Sequence, residues 1–478
     1  MLSGCLESVA GLVDEIVVVD TGSGDSTIEI ALAHGARVLE TRWTDDFSAA
    51  RNAAIDVTLS DYILFLDADE RLEPESQRAV REIVAAEPED APPTIYAPLI
   101  LNVDAVGMSL GADHMPRLFR RQPDLRFAGR IHESLGRDLP GLRTVFEDRI
   151  RIVHLGYDPA YARNRGKNER NVRLLEQELA ERPDDPTLIF YRAKEHYAAG
   201  EDAVAAEWFQ RVIKLKPSLS FACSSYVFGV ECLRSTGKAE DALKLGLEGA
   251  QINPDYGELW FALGMAALDC GRPVQAEGMF LQAMKVTQGF ALTAFQDPDI
   301  RVWRAEVARG QALQLQSNDK GAIEAWLAAR PKVPLGRNRV RVDLDLIEAY
   351  LRLGKQQEAW QLLEPMLDTA TEDAVGPLLE FVELYLEYVG PEDAWRFFQD
   401  TAAVHANILR QLPLVACGVE LAELLNDHER LFELLNIAVH LGTQVPAHYD
   451  LLARHLDARG QSSAAEAARR ALHRLLAD

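Results

Sequence analysis

Apolar and polar positions change rhythm near residue 180. Before it, short apolar runs alternate with stretches of helical spacing. "EIVVVD" reads as a buried strand ending at Asp20, "GSGDSTIEIALAHG" as a turn and a capped helix closed by Gly35, and "ARVLE" as the next strand. "DFSAARNAAIDV" places Phe47, Ala50, Ala54 and Val57 on one helical face. "YILFL" shows no polar alternation, as expected of a parallel strand covered on both faces. This alternation predicts an α/β domain with a doubly wound, Rossmann-like, mostly parallel sheet, a fold that binds ligands at the carboxyl ends of its strands. Asp20, Asp67 and Asp69 fall at such ends.

After residue 180 strand signals fade and helix pairs recur. "LIFYRAKEHYAAGEDAVAAEWFQRVIKLKP" gives an aromatic helix, a turn at Gly200, a second helix with Ala203, Ala206 and Phe209, and a stop at Pro217. "SSYVFGVECLRSTGKAEDALKLGLEGAQINP" and "ELWFALGMAALDCGRPVQAEGMFLQAMKV" repeat the plan. Turn glycines at Gly200, Gly237 and Gly271 recur close to the roughly 34-residue tetratricopeptide period. Drifted copies follow around Gly354, Gly390 and Gly460. These segments resemble tetratricopeptide repeats, whose small and aromatic positions let paired helices stack into an all-α solenoid. An irregular helical bundle is the alternative.

Composition narrows the picture. The chain has 478 residues, 48% of them hydrophobic, enough for more than one packed core. A net charge of −24 argues against nucleic acid as a partner, because phosphate neutralisation needs basic surface. Five cysteines without CxxC or Cys/His spacing favour a reducing, cytoplasmic setting over a disulfide framework or a zinc site. No apolar run approaches the roughly 20 residues of a transmembrane segment, and no basic signal peptide stands at the start.

The acids in "YILFLDADE" carry the chemistry. Two carboxylates spaced D-x-D at a strand end lie close enough to share a divalent cation, and hard oxygen ligands suit Mg2+ or Mn2+ bridging to a substrate diphosphate. Without a counter-ion they would repel. The same residues also fit a solvated turn in which an acid caps the helix that follows Pro74.

Order adds specificity. "VVVDTGSGDST", "DFSAARNAA" and "YILFLDADE", then "MPRLFRR", "FAGRIHESL" and "IRIVHLGY", follow one another as in family 2 glycosyltransferases of the GT-A fold that carry tetratricopeptide repeats behind the catalytic domain. The resemblance covers about the first 180 residues as a catalytic domain, with the repeats extending it over most of the chain. It implies a metal-dependent, inverting transfer of a sugar from a nucleotide-diphosphate sugar.

Carried over by motif, Asp20 matches the acid that contacts the nucleoside, and it also fits a turn-capping role. Arg51 matches a helix arginine that reaches the nucleotide, with a surface position as the alternative. Asp67 matches the carboxylate that reaches the ribose, and Asp69 the metal ligand. Glu133 in "GRIHES" is the candidate base for the acceptor's proton, with Glu70 and Asp113 as rivals, while His132 either holds the acceptor or packs. His154 resembles the late histidine that completes the metal shell, and equally suits a core position. In "YARNRGKNERNVR", the basic residues Arg163, Arg165, Lys167, Arg170 and Arg173 fit a helix beginning near Pro159, and Lys167 and Arg170 are placed at the leaving diphosphate. A solvated basic face is the competing reading.

The sequence therefore predicts a glycosyltransferase-like domain over residues 1–157, a connecting basic helix over 158–182, and a repeat domain over 183–478. In the family a strand precedes the helix matched by "MLSGCLESVAGL", and its expected place is between the strands ending at Asp20 and Asp67. Two functions stay open. One is an enzyme whose repeats hold a protein or peptide acceptor, far from the acids. The other is a non-catalytic scaffold with a vestigial front domain, whose repeats bind a partner or a second copy to form a homo-oligomer.

Overall fold

A computed structural model describes residues 1–478 except 89, 104–108, 138, 156–164, 216–219, 287–296, 298, 369–374, 405–410 and 478. The chain forms two compact units, Met1–Arg272 with Gln282–Ile300, and Pro273–Leu281 with Arg301–Asp478.

The first unit opens with α1 (Leu2–Ser8), β1 (Val17–Asp20), α2 (Thr27–Ala33) and β2 (Arg37–Glu40). β1 and β2 pair in parallel, Val18 opposite Val38 and Asp20 opposite Glu40, as strand–helix–strand alternation requires. Gly35 ends the helical stretch at φ +75°, a conformation that costs glycine little. α3 (Phe47–Val57) starts at Asp46, whose side chain accepts from the Ala49 amide.

The face of α3 that is buried differs from the expected one. Ser48 and Ile55 are buried, while Phe47, Ala50 and Ala54 are half-buried. The reason is a pair of hydrogen bonds, one donated by the Asn52 side-chain amide to the Phe127 carbonyl and one accepted by its oxygen from the Phe127 amide, which turns the Ser48–Asn52–Ile55 face onto the sheet.

β3 (Tyr62–Leu64), β4 (Glu70–Leu72), α4 (Ser76–Ala86), β5 (Thr94–Val103), β6 (Ser109–His114), β7 (Leu118–Arg120) and β10 (Arg143–His154) build a second, six-stranded sheet. Its order is β3-β7-β5-β10-β4, with β6 on β5. β5 and β10 run parallel, and the other pairs are antiparallel. The domain is α/β as expected, but the sheet is mixed. "YILFL" contributes a three-residue strand that pairs antiparallel with β7, because β7 returns beside β3 and inserts between it and β5. β8 (Phe127–Ala128) and β9 (Ser134–Leu135) form a separate short pair.

A cavity of about 470 Å³ separates the β1–β2 pair from β3. α1, α3, β1 and β3 line it with apolar side chains, and Arg51 and Asp67 stand among its walls.

α5 (Arg165–Glu181) and α6 (Pro186–Ala198) follow, and α6 opens the first helix pair with Asp202–Leu215. A second pair, Ser220–Ser235 and Ala239–Ile252, also belongs to the first unit. α5 and α6 share a core with the front domain, in which Leu174, Leu175 and Leu188 pack on Ile131 beside Trp43 and Phe47. The first repeat helix is thus built into the front domain rather than held away from it.

The second unit continues in helix pairs as far as Ser462–Ala477. Among the described residues, two of its pairs lack a turn glycine and are not apparent from the glycine spacing. Ala305–Leu315 and Asp319–Ala329 turn at Ser317 (φ +60°), and Leu412–Leu424 and His428–His440 turn at Asn426 (φ +55°). Among the described residues no helix is long and apolar enough to cross a membrane.

Candidate active site

The D-x-D turn sits between β3 and β4, and it is locked from within. The Glu70 amide donates to the Asp67 carbonyl at 2.9 Å, and the Glu70 carboxylate accepts from the Asp67 amide at 2.9 Å. α1 seals the turn from one side, its Cys5 thiol 3.4 Å from the Asp67 carbonyl. Burial pushes that thiol up to about 11, so it stays protonated and unreactive.

Arginines balance the charge. Arg117, 4% exposed, donates to Glu70 at 2.6 Å and to Asp67 at 3.0 Å. Burial opposes its charge, but Asp67, Glu70 and Glu133 outweigh that and raise its pKa further. Arg51 reaches from α3 to Asp67 at 3.1 Å and bonds through Nε to Glu133. Its guanidinium also lies over the rings of Phe65 and Phe127, at 5.5 and 5.3 Å. Arg51 and Asp67, 16 positions apart, and Glu133, 82 positions beyond Arg51, therefore meet as one network. Arg117 is the member that sequence reasoning passed over. It lies in "MPRLFRR", and a basic residue opening a strand next to buried acids was the available signal.

Glu70, 2% exposed, spends its carboxylate on Arg117 and the Asp67 amide, so it braces the turn and does not face an acceptor. Asp113 lies on β6 opposite Ile100, and Asp20 stands apart on β1. The Asp20 carboxylate accepts from the amides of Gly22 and Ser23, both at 3.0 Å. Hydrogen bonds from the Ser23 side chain and these amides hold it below the usual carboxylate range.

Asp69 and His154 form the second group. β10 and β4 pair with His154 opposite Glu70, which brings the His154 Nε2 within 3.4 Å of the Asp69 carboxylate. Nδ1 lies 2.9 Å from the Asn102 side-chain oxygen, an acceptor, so Nδ1 donates and Nε2 faces Asp69. The Asp69 carboxylate raises the imidazole's pKa.

A divalent ion fits this pair. Two ligands about 2.1 Å from one ion lie about 3 Å apart, and an oriented His–carboxylate pair with an outer partner is a common arrangement around metals. Among the described residues no group of three His, Cys, Asp or Glu side chains is gathered in this way, so the remaining positions would fall to diphosphate oxygens and water.

The basic helix is placed in part. The Arg170 guanidinium lies 5.1 Å from the Phe47 ring and 5.9 Å from that of Trp43. Arg173 makes two 2.7 Å hydrogen bonds to Asp45. Arg163 and the side chains of Arg165 and Lys167 lie outside the described residues.

Residues 1–111 match the family model described as Glycosyl transferase family 2. A TPR repeat-containing protein of Synechococcus elongatus is 36% identical over 221 residues, covering 45% of this chain and 53% of that protein. The SPbeta prophage-derived glycosyltransferase SunS of Bacillus subtilis is 27% identical over 211 residues, covering 44% and 49%. The chain thus spans about half the length of these curated relatives. A crystal structure of a tetratricopeptide repeat protein from Parabacteroides merdae overlaps 57% of this chain and 98% of that one, at 12% identity and a TM-score of 0.37. The chain joins an N-terminal family 2 glycosyltransferase domain to helix pairs of the tetratricopeptide type.

Proposed function

We propose that this chain is a metal-dependent, inverting glycosyltransferase that works in the cytoplasm. In this reading it moves a sugar from a nucleotide-diphosphate sugar to a protein or peptide held by its repeats. The observation that carries it is the convergence of Glu133 on the Asp67 turn through Arg51. A scaffold has no need to bring a carboxylate from the β8–β9 loop to the mouth of a D-x-D turn.

In this reading the residues take the roles that the family resemblance implies. Asp20, fixed by its own turn, meets the nucleoside, and Asp67 the ribose. Arg51 orients Asp67 and Glu133 and reaches the nucleotide. Asp69 and His154 would hold Mn2+ or Mg2+, which when bound offsets the charge on the diphosphate. Arg170, anchored over Phe47, and Lys167 lie on the helix that would meet the leaving group. Glu133 takes the acceptor's proton while the acceptor oxygen attacks the anomeric carbon opposite the departing diphosphate, which inverts that carbon.

The test is transfer of labelled sugar from a panel of nucleotide sugars to peptide acceptors, with manganese and with chelator. Metal-dependent transfer that Glu133→Gln abolishes supports the reading. Metal-independent transfer overturns the metal's part in the reading, and no transfer from any donor by a protein that still binds peptide favours the scaffold. That second reading draws on the helix pairs and on the likeness to a TPR repeat-containing protein.

A further inference from the structure

The candidate base is not held by the front domain alone. Glu133 follows His132 in the β8–β9 loop, and His132 has φ +51°, the left-handed region that side chains other than glycine rarely adopt. Something must hold a histidine there. Its ring lies face to face on that of Tyr191, 3.5 Å between centroids and 1° between planes. Tyr191 belongs to α6, the first helix of the first repeat, and packs in the core that joins α5 and α6 to Ile131. Nε2 of His132 is buried and has no hydrogen-bond partner, so the stack rather than a polar contact sets the ring. One residue further on, the Glu133 carboxylate meets Arg51.

We propose that Tyr191 is a positioning residue: its ring clamps His132 in the left-handed conformation, and that conformation aims the Glu133 carboxylate at Arg51 and the Asp67 turn. The catalytic role of the aimed carboxylate rests on the transferase reading above; the clamp itself does not. It assigns the first repeat a part in the site's geometry and accounts for a repeat helix sharing the front domain's core. In this proposal Tyr191 acts through His132 and Glu133. The phenol oxygen plays no part, because the contact is between ring faces.

The readout that needs no transfer is spectroscopic. Burial pushes the His132 imidazole down to about 4, from an ordinary 6.5, and the Tyr191 ring covers one of its faces. The clamp therefore shows as a histidine that stays neutral to low pH, and the aimed carboxylate as a shifted Arg51 Nε–H signal in the full chain. Tyr191→Phe should keep both. Tyr191→Leu, which fills the space without a flat ring, should move the Arg51 signal while His132 stays buried and neutral, and Tyr191→Ala should move that signal and also let His132 titrate nearer 6.5. Where transfer is measurable, Tyr191→Leu should lower kcat roughly 10- to 100-fold with the donor KM unchanged, within the range a general base contributes. His132→Gly, free to adopt positive φ, should make Tyr191→Leu nearly silent at Arg51. An Arg51 signal unmoved in a folded Tyr191→Leu or Tyr191→Ala protein overturns the proposal. So does a Tyr191→Phe protein that behaves like Tyr191→Leu. Absence of transfer by the unmodified chain would count against the transferase reading, while the His132 and Arg51 signals would still decide the clamp.

Discussion

Replacing Arg117 by methionine removes the cation that bridges Asp67 and Glu70. The side chain is 4% exposed and Glu70 is 2% exposed, so water cannot take over as partner. Two hydrogen bonds disappear, at 2.6 and 3.0 Å. Asp67 keeps Arg51, but Glu70 keeps only the Asp67 amide. A buried carboxylate stripped of its ion partner costs about 3–5 kcal/mol. At about 1.4 kcal/mol per factor of ten, that is roughly two to four powers of ten in the opening equilibrium of the sheet around it. Glu70→Gln keeps an oxygen for the Asp67 amide and removes the charge. The double variant should therefore recover about 2 kcal/mol or more of the loss. The assay is amide hydrogen exchange at β3 and β7, whose ladder pairs Ile63 with Phe119, carried out with chelator so that no ion substitutes for the guanidinium. A loss below about 1 kcal/mol, with no rescue by Glu70→Gln, would refute the view that protein arginines balance this acidic turn.

Three other outcomes are expected. Asp69→Asn should remove metal-dependent binding of a nucleotide diphosphate while shifting stability by no more than about 1 kcal/mol, because its pair with His154 is partly exposed; calorimetry with and without chelator decides, and equal affinity in both conditions counts against the metal site. Glu133→Gln should bind donor normally and transfer sugar at least about 100-fold more slowly, whereas near-normal transfer would move the base elsewhere. In the second unit, a Cβ at Gly310 would overlap Nε1 of Trp326, a fully buried ring that donates to the Val307 carbonyl at 3.0 Å. Gly310→Ala should lower that unit's stability by about 1–3 kcal/mol, read from Trp326 emission during unfolding, and an unchanged midpoint would contradict the packing.

Much of this molecule was legible because local pattern decides it. β1, α2, β2 and α3 form where apolar period, Asp46 and Gly35 place them, and the helix pairs turn where Gly200, Gly237 and Gly271 allow positive φ. The two turns at Ser317 and Asn426 escaped notice because a polar residue there does what glycine does elsewhere. Asp67, Asp69 and Glu133 were recognisable from their motifs as chemical groups, but not as neighbours. Which strand lies beside which depends on pairing between distant segments, and local sequence carries no signal for it. Only the tertiary structure inserted β7 next to β3, and with it brought Arg117 under the acidic turn. The same holds for Tyr191. Within its helix it looks like any repeat aromatic, and the shared core with Ile131 is what lays it on His132. The residue types were written in the chain one segment at a time, while the charge balance and the aim of Glu133 arise only where those segments pack together.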